Sequence, residues 1–488
     1  MSDAPAMLEN YADYISVHAR ETPNKQAVSD RTTQLTYAEL EHAVTAVALR
    51  LRGLGIAVGE LVGVSLPDTV DHVCVLLGMS RLGAVIVPMD HRWLPSEKQA
   101  IAAQFEVARV LTAPGDAPIP GVTCIAVTPD WKFGPAHADE FPHDRNMPML
   151  LSMSSGTTGR PKGPMSSQAA QIRRSVDGVI QPSDVVLTAT PLYFGGGRGF
   201  ALGGLLKGAS VILFTPPFRS EELITLMQER GVTYTFLVPT QTRRLLARPD
   251  DGKLLFPKLR ILVSSGAVLH AHERAEIMRR ISPNLLNMYA STESGGIAGL
   301  RPSDPPEKQA SVGRPSAGVQ VQIVDATDTP LPAGEIGRIR VRGPTVPDGF
   351  YKNPDETARY FIDGWYYTGD LGHFDSDGYL YLAGRSKEMI IRGGINIYPG
   401  EIEEALLTLA EVHDCAAVPW PSPMLGEEVA LFVVREGEID EQGILDACRA
   451  RMAPYKIPRA VFFIDELPKN SHGKVVRGQL AALLPKLD

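Results

Sequence analysis

What this chain lacks narrows its function before any motif is found. Only four cysteines, Cys74, Cys124, Cys415 and Cys448, occur in 488 residues, far apart and without a C-x-x-C. Such sparse usage predicts buried, reduced thiols and a cytoplasmic location. Positive charge is not in excess: 48 lysines and arginines face 56 aspartates and glutamates, a net charge of −8. That argues against a general binder of nucleic acid or of membrane surfaces, and points to small-molecule partners. No apolar run reaches the roughly 18 residues of a membrane span. The start, MSDAPAMLENYADY, has neither a basic segment nor an apolar core, so no secretory signal is expected. Internal repeats and low-complexity tracts are missing too. What is there is ordinary globular material, 44% apolar and 21% charged. The length corresponds to roughly three domain-sized units.

The chain changes texture twice. Up to about residue 310, short apolar segments alternate with helical patterns. LVGVSL (61–66), VIVPMD (85–90), VVLTATP (185–191), SVILF (210–214), VTYTFLVP (232–239) and LRILVSS (259–265) read as strands. Thr36 and Glu39 stand at capping-box spacing before the helical pattern EHAVTAVALRLRGL. Strands alternating with helices predict mainly parallel sheets covered on both faces, with ligands beyond the carboxyl ends of the strands. From about residue 311, VQVQIVD and RIRVRG alternate with period two, predicting antiparallel strands of a small barrel. From about 386, Ile402, Leu406 and Leu409 share a helical face, and CAAVPW, EVALFVV and AVFFI read as strands. The expected architecture is therefore α/β: a large N-terminal part, 1–384, with a barrel-like portion at about 311–384, and a small α+β part, 385–488.

The chemistry concentrates in six segments. SSGTTGRPKG (154–163) packs three glycines, four hydroxyls, an arginine and a lysine into one loop. Glycines turn backbone N–H groups toward an anion, and the hydroxyls of Ser154, Ser155, Thr157 and Thr158 with the Lys162 charge add donors. The loop suits a phosphate chain, although the order G-x-x-x-x-G-K-[ST] is absent. The segment SSGAVL (264–269) offers Gly266 and Ala267 to the flat face of a base. YASTE (289–293) supplies a stacking ring at Tyr289, a hydroxyl at Thr292 and a carboxylate at Glu293 suited to Mg²⁺ beside phosphate. YTGD (367–370) sets Asp370 after a glycine turn, where a carboxylate can accept both protons of a ribose diol. GRSKEMIIRGGINIYPGEIE (384–403) crosses the boundary between large and small parts, and PKNSHGKVVR (468–477) places Lys474 on a tight glycine turn. Singly, Tyr289 reads as a core ring, Glu293 and Asp370 as caps, and Arg385, Lys387 and Lys474 as surface charges. Their joint occurrence in one order is what argues for a site.

SSGTTGRPKG, YASTE, YTGD, GRSKE and PKNSHGK together resemble the adenylate-forming superfamily of acyl-CoA synthetases, peptide-synthetase adenylation domains and firefly-type luciferases. The resemblance covers essentially the whole chain, and GGINIYPGEIE is most similar to the acyl-CoA synthetase branch. It implies an AMP-forming acid–CoA ligase with ATP, Mg²⁺ and coenzyme A. It also implies two half-reactions: a carboxylate attacks the α-phosphorus of ATP, and a thiol then displaces AMP. Under it, Ser154, Ser155, Gly156, Thr157, Thr158, Gly159 and Lys162 cradle the β- and γ-phosphates, and Glu293 with Thr157 or Thr158 holds Mg²⁺. Gly266, Ala267 and Tyr289 flank adenine, and Ala290, Ser291 and Thr292 belong to the same nucleotide segment. Asp370 binds the ribose and Arg385 reinforces the ribose and phosphate side. Lys474 bridges the carboxylate and the α-phosphate, Lys387 is the hinge of a rotating C-terminal part, and Gly393 and Gly394 line a pantetheine tunnel.

One segment departs from the family pattern. In PLYFGGGRGF the gating position, often histidine in relatives, is Phe194, and the glycines that follow are expected to widen the acyl pocket. Arg198 either faces that pocket, to pair with a second polar group on the acid, or points outward as a capping residue. The expected substrate is a small, medium-chain or aromatic monocarboxylate, taken by a monomer or homodimer. The alternatives are an adenylation enzyme that loads a carrier-protein thiol, a luciferase-like oxygenase, and a non-catalytic nucleotide-binding protein.

Overall fold

The computed structural model describes residues 8–136, 140–153, 161–214, 217–386, 388–392, 395–470 and 473–486. Two sheets carry the alternating part of the chain. One has six strands, in the order Thr123–Ala126, Arg109–Thr112, Leu61–Ser65, Val85–Pro88, Pro148–Leu151 and Met165–Ser167. All its pairings are parallel except the last. The other has nine, with Leu285–Ser291, Ile261–Ser264, Tyr234–Phe236, Val185–Thr188, Ser210–Leu213 and Gln26–Ser29 running parallel at its centre. The strand Gln26–Ser29 thus crosses from the start of the chain into the sheet built from residues beyond 185.

Between the sheets the helices Tyr37–Gly53 and Val70–Leu82 pack face to face. The second is apolar nearly all round and is buried along almost its whole length, as its sequence requires. Their approach is close: a Cβ at Gly78 would lie 2.6 Å from Val47 Cγ1. The capping box at Thr36 and Glu39 forms as expected, with both reciprocal bonds present. The period-two segments pair antiparallel, with Val321 opposite Val341 and Ile323 opposite Ile339, in a five-stranded half-barrel. The C-terminal sheet joins Ile390–Arg392, Ile395–Ile397, Val412–Ser422, Gly426–Arg435 and Ala460–Phe463, with helices Pro399–Leu406 and Glu441–Arg451 closing its core. Among the described residues, no helix is long and apolar enough to cross a membrane.

After the glycine-rich segment comes the strand Met165–Ser167, and Ser167 caps helix Gln168–Val176 by accepting from Ala170 N–H. Two local expectations are corrected. VTYTFLVP is a strand only at Tyr234–Phe236, because Pro239 opens a helix. Asp370 does not follow a turn between elements. It lies within one long strand, Trp365–Phe374, at a bulge where the pairing register shifts and Gly369 takes φ +78°. A bulge re-aims the side chains beside it without ending the strand.

Candidate active site

The carboxyl ends of three parallel strands in the nine-stranded sheet bring the first groups together. After Tyr234–Phe236 the chain turns into helix Pro239–Leu246, which presents Thr240. After Ile261–Ser264 it turns at Gly266, with φ +99°, a conformation that suits glycine and leaves Ala267 half-exposed. Leu285–Ser291 leads through Ala290 and Ser291 into a tight turn. There Ser294 N–H donates to Ser291 Oγ at 3.0 Å, with Thr292 and Glu293 between them.

The half-barrel supplies the facing wall. Tyr289 Oη donates to Asp370 Oδ2 at 2.5 Å, and Arg385 Nε lies 3.0 Å from Asp370 Oδ1. Burial would lower the Arg385 pKa, but Asp370, Glu388, Tyr289 and Tyr366 together outweigh it and raise it. Burial pushes Tyr289 well up, and the adjoining Asp370 adds to this, so the ring stays neutral and its hydroxyl remains a donor. Tyr366, its pKa raised by burial and then by the neighbouring Glu293 carboxylate, lies beside Glu293, which is itself only 6% exposed.

The fifth component comes from the far end of the chain. Asn470 N–H donates to the Lys474 carbonyl at 2.9 Å, and Gly473 takes φ +77° in the turn between them. Lys474 is exposed, yet desolvation and the charge of Arg385 lower its pKa, while Asp370, Glu388 and Glu293 oppose the shift. The same ammonium therefore senses the carboxylate expected to hold ribose and the one expected to hold metal. Tyr289, Glu293, Asp370, Arg385 and Lys474 thus converge from strands, bulge and C-terminal turn. Ser154, Ser155, Gly156, Thr157, Thr158 and Gly159 lie outside the described residues, as do Lys387, Gly393 and Gly394.

Lys162 is described, and its surroundings differ from the expectation. It is 6% exposed, its ammonium pairs with Glu356, and it sits 3.5 Å from the centre of the Tyr360 ring. The glycines after Phe194 do not simply open a pocket. A Cβ at Gly197 would lie 2.1 Å from the Thr190 carbonyl, and one at Gly196 2.5 Å from the Phe236 ring, so both allow close packing. Only Gly195 and Gly199 border open space. Phe200 stacks on Phe236 at 4.8 Å between ring centres, and Phe194 packs against the same apolar cluster. Arg198 is not outward-facing. It is 4% exposed and its Nη1 donates to the carbonyls of Leu192 and Tyr193 at 3.1 and 2.9 Å, holding the turn that carries Phe194.

Sequence reasoning missed Arg174. Its Nη2 donates to the carbonyls of Glu293 and Thr345 at 2.6 and 3.0 Å, and burial lowers its pKa to about 10 against the opposing charge of Glu293. It braces the turn that carries Glu293. As half of an Arg-Arg pair on an amphipathic helix, it looks in sequence like a surface cation.

A model described as AMP-binding enzyme matches residues 15–351, and one described as AMP-binding enzyme C-terminal domain matches residues 401–474. The chain belongs to the AMP-binding enzyme family. Within it, the chain falls in the acid–CoA ligase branch of the adenylate-forming superfamily and is an AMP-forming ligase. It is 31% identical to an indoleacetate–CoA ligase of Aromatoleum aromaticum, covering 97% of this chain and 98% of that protein. It is 32% identical to a feruloyl-CoA synthase of an Amycolatopsis species, covering 95% and 96%. The crystal structure of ATP-bound MatB from Rhodopseudomonas palustris superposes with a TM-score of 0.90 at 29% identity, covering 98% of this chain and 99% of that one.

Proposed function

We propose that this ligase joins a small, medium-chain or aromatic monocarboxylic acid to AMP and then passes the acyl group to coenzyme A. The observation that carries the reading is the arrival of Lys474 within electrostatic range of Asp370, Arg385 and Glu293. Relatives named for indoleacetate and feruloyl-CoA favour a flat, aromatic acid.

The difficulty in the first step is that one anion must approach another. At about 4 Å and an effective dielectric near 20, a pair of unit charges is worth on the order of 4 kcal/mol. A lysine between the carboxylate and the α-phosphate supplies an attraction of similar size, aligned before reaction. Asp370, held by Tyr289 and Arg385, accepts the ribose hydroxyls and so sets where the α-phosphorus lies. Attack of the carboxylate oxygen on the α-phosphorus forms the acyl–AMP anhydride and breaks the bond to the leaving pyrophosphate; the thiol then attacks the acyl carbon, losing its proton, and AMP leaves. Among the described residues, no three or more acidic, histidine or cysteine side chains gather into a protein cage for a metal. Magnesium needs only one or two carboxylates beside substrate phosphates, and Glu293 fits that donor set. When bound, the ion neutralises phosphate charge.

A panel of carboxylic acids, scored by AMP release with and without coenzyme A, tests the reading. CoA-dependent AMP release with an aromatic or short monocarboxylate is expected. AMP release only with a phosphopantetheinyl carrier protein would favour the carrier-loading alternative, and no pyrophosphate with any acid would favour a non-catalytic nucleotide binder.

A further inference from the structure

The last three residues of the glycine-rich segment 154–163 are each held from outside. The Pro161 carbonyl accepts from Gln104 Nε2. The Gly163 carbonyl accepts from Tyr351 N–H at 2.8 Å, and a Cβ there would lie 2.7 Å from the Phe105 ring. Between them Lys162 reaches away into helix Pro354–Tyr360. Its ammonium pairs with Glu356 and lies 3.5 Å from the Tyr360 ring centre and 5.2 Å from that of Phe350. Glu356 and Tyr360, four residues apart, share one helix face. Asn353 Oδ1 accepts from Glu356 N–H at 3.2 Å and fixes the start of that helix. Arg359 is the other cation near, 3.7 Å from the second Glu356 oxygen and largely exposed. A buried ammonium committed to a carboxylate and a ring leaves them only at considerable cost.

We propose that Lys162, Glu356 and Tyr360 form a latch that registers the phosphate segment against the half-barrel, so that Lys162 is a positioning residue and not a phosphate ligand. This rests on the ligase reading, but its test needs no acid. A wrong acid would show as absent turnover with the comparison below intact. The comparison is the affinity of purified full-length variants for a non-hydrolysable ATP analogue and for AMP. Lys162→Met and Glu356→Gln are each expected to weaken the ATP analogue about tenfold, leaving AMP nearly unchanged. The double variant is expected to be no weaker than the weaker single, as for two ends of one contact. Tyr360→Leu should cost about three- to tenfold, and Tyr360→Phe, which keeps the ring, should restore most of it.

Wild-type or tighter ATP binding by Glu356→Gln, alongside loss in Lys162→Met, would overturn the latch, because a released lysine would then serve the phosphates directly. Additive losses in the double variant would overturn it too. If Lys162→Met does not fold, the Tyr360 pair decides alone: equal affinity in the Leu and Phe variants rules the latch out.

Discussion

At the scale of single residues, the site depends on where charges are held and in which state. Lys474 must be protonated to draw two anions together. Desolvation and Arg385 lower its pKa, so the neutral amine forms at a lower pH than for a free lysine. Adenylate formation is therefore expected to fall on the alkaline side below the ordinary lysine range. Lys474→Arg, whose guanidinium does not titrate there, should flatten that limb in a pH profile of pyrophosphate exchange. Lys474→Ala should lower exchange by about a hundredfold or more, while thiolysis of supplied acyl-adenylate survives. Equal loss of both steps would contradict the role. Glu293→Gln keeps the shape but removes the charge expected to hold magnesium. It should raise the magnesium concentration needed for half-maximal exchange by about tenfold.

At the scale of elements, local sequence and tertiary packing divide the work. The helix Tyr37–Gly53 starts where its capping box puts it, and Thr36→Ala should cost about 1 kcal/mol in denaturant unfolding. The helix Gly195–Leu206 starts under the opposite constraint, since its first turn runs against the Thr190 carbonyl and tolerates no side chain at Gly197. Gly197→Ala should cost about 2–4 kcal/mol, whereas Gly199→Ala, facing open space, should be neutral or slightly stabilising. A glycine-rich run reads as a loose loop from composition alone. That half of it serves close packing follows only once Phe236 and the 190–191 turn are in place.

At the scale of the whole molecule, the proposed mechanism requires the C-terminal turn to reach the N-terminal sheets. The contact is tight: a Cβ at Gly473 would lie 2.2 Å from Thr240 Oγ1. Gly473→Val should therefore lower adenylate formation at least about tenfold while leaving thiolysis of supplied adenylate within about twofold, and Thr240→Ala should restore part of the loss. Failure of both steps together would mean that this docking serves more than the first half-reaction. We propose, as the family resemblance implies, that the C-terminal part rotates about Lys387 and withdraws the Gly473 turn before thiolysis.

Much of this protein was legible in its order of residues. Alternating apolar segments gave away parallel sheets, because a strand buried on both faces must be apolar throughout. Period-two patterning at Val321, Ile323, Ile339 and Val341 gave away the half-barrel, because a half-buried strand shows one face to water. The types and order of Glu293, Asp370, Arg385 and Lys474 pointed to one site, and the structure brings these four groups near one another. Tertiary structure alone decided the rest: that Arg174 leaves the surface to brace Glu293, that Arg198 turns inward to backbone carbonyls, and that Lys162 faces Glu356. A side chain's partner lies across space, often more than a hundred residues away, and local sequence carries no record of which distant charge or carbonyl will be brought within reach.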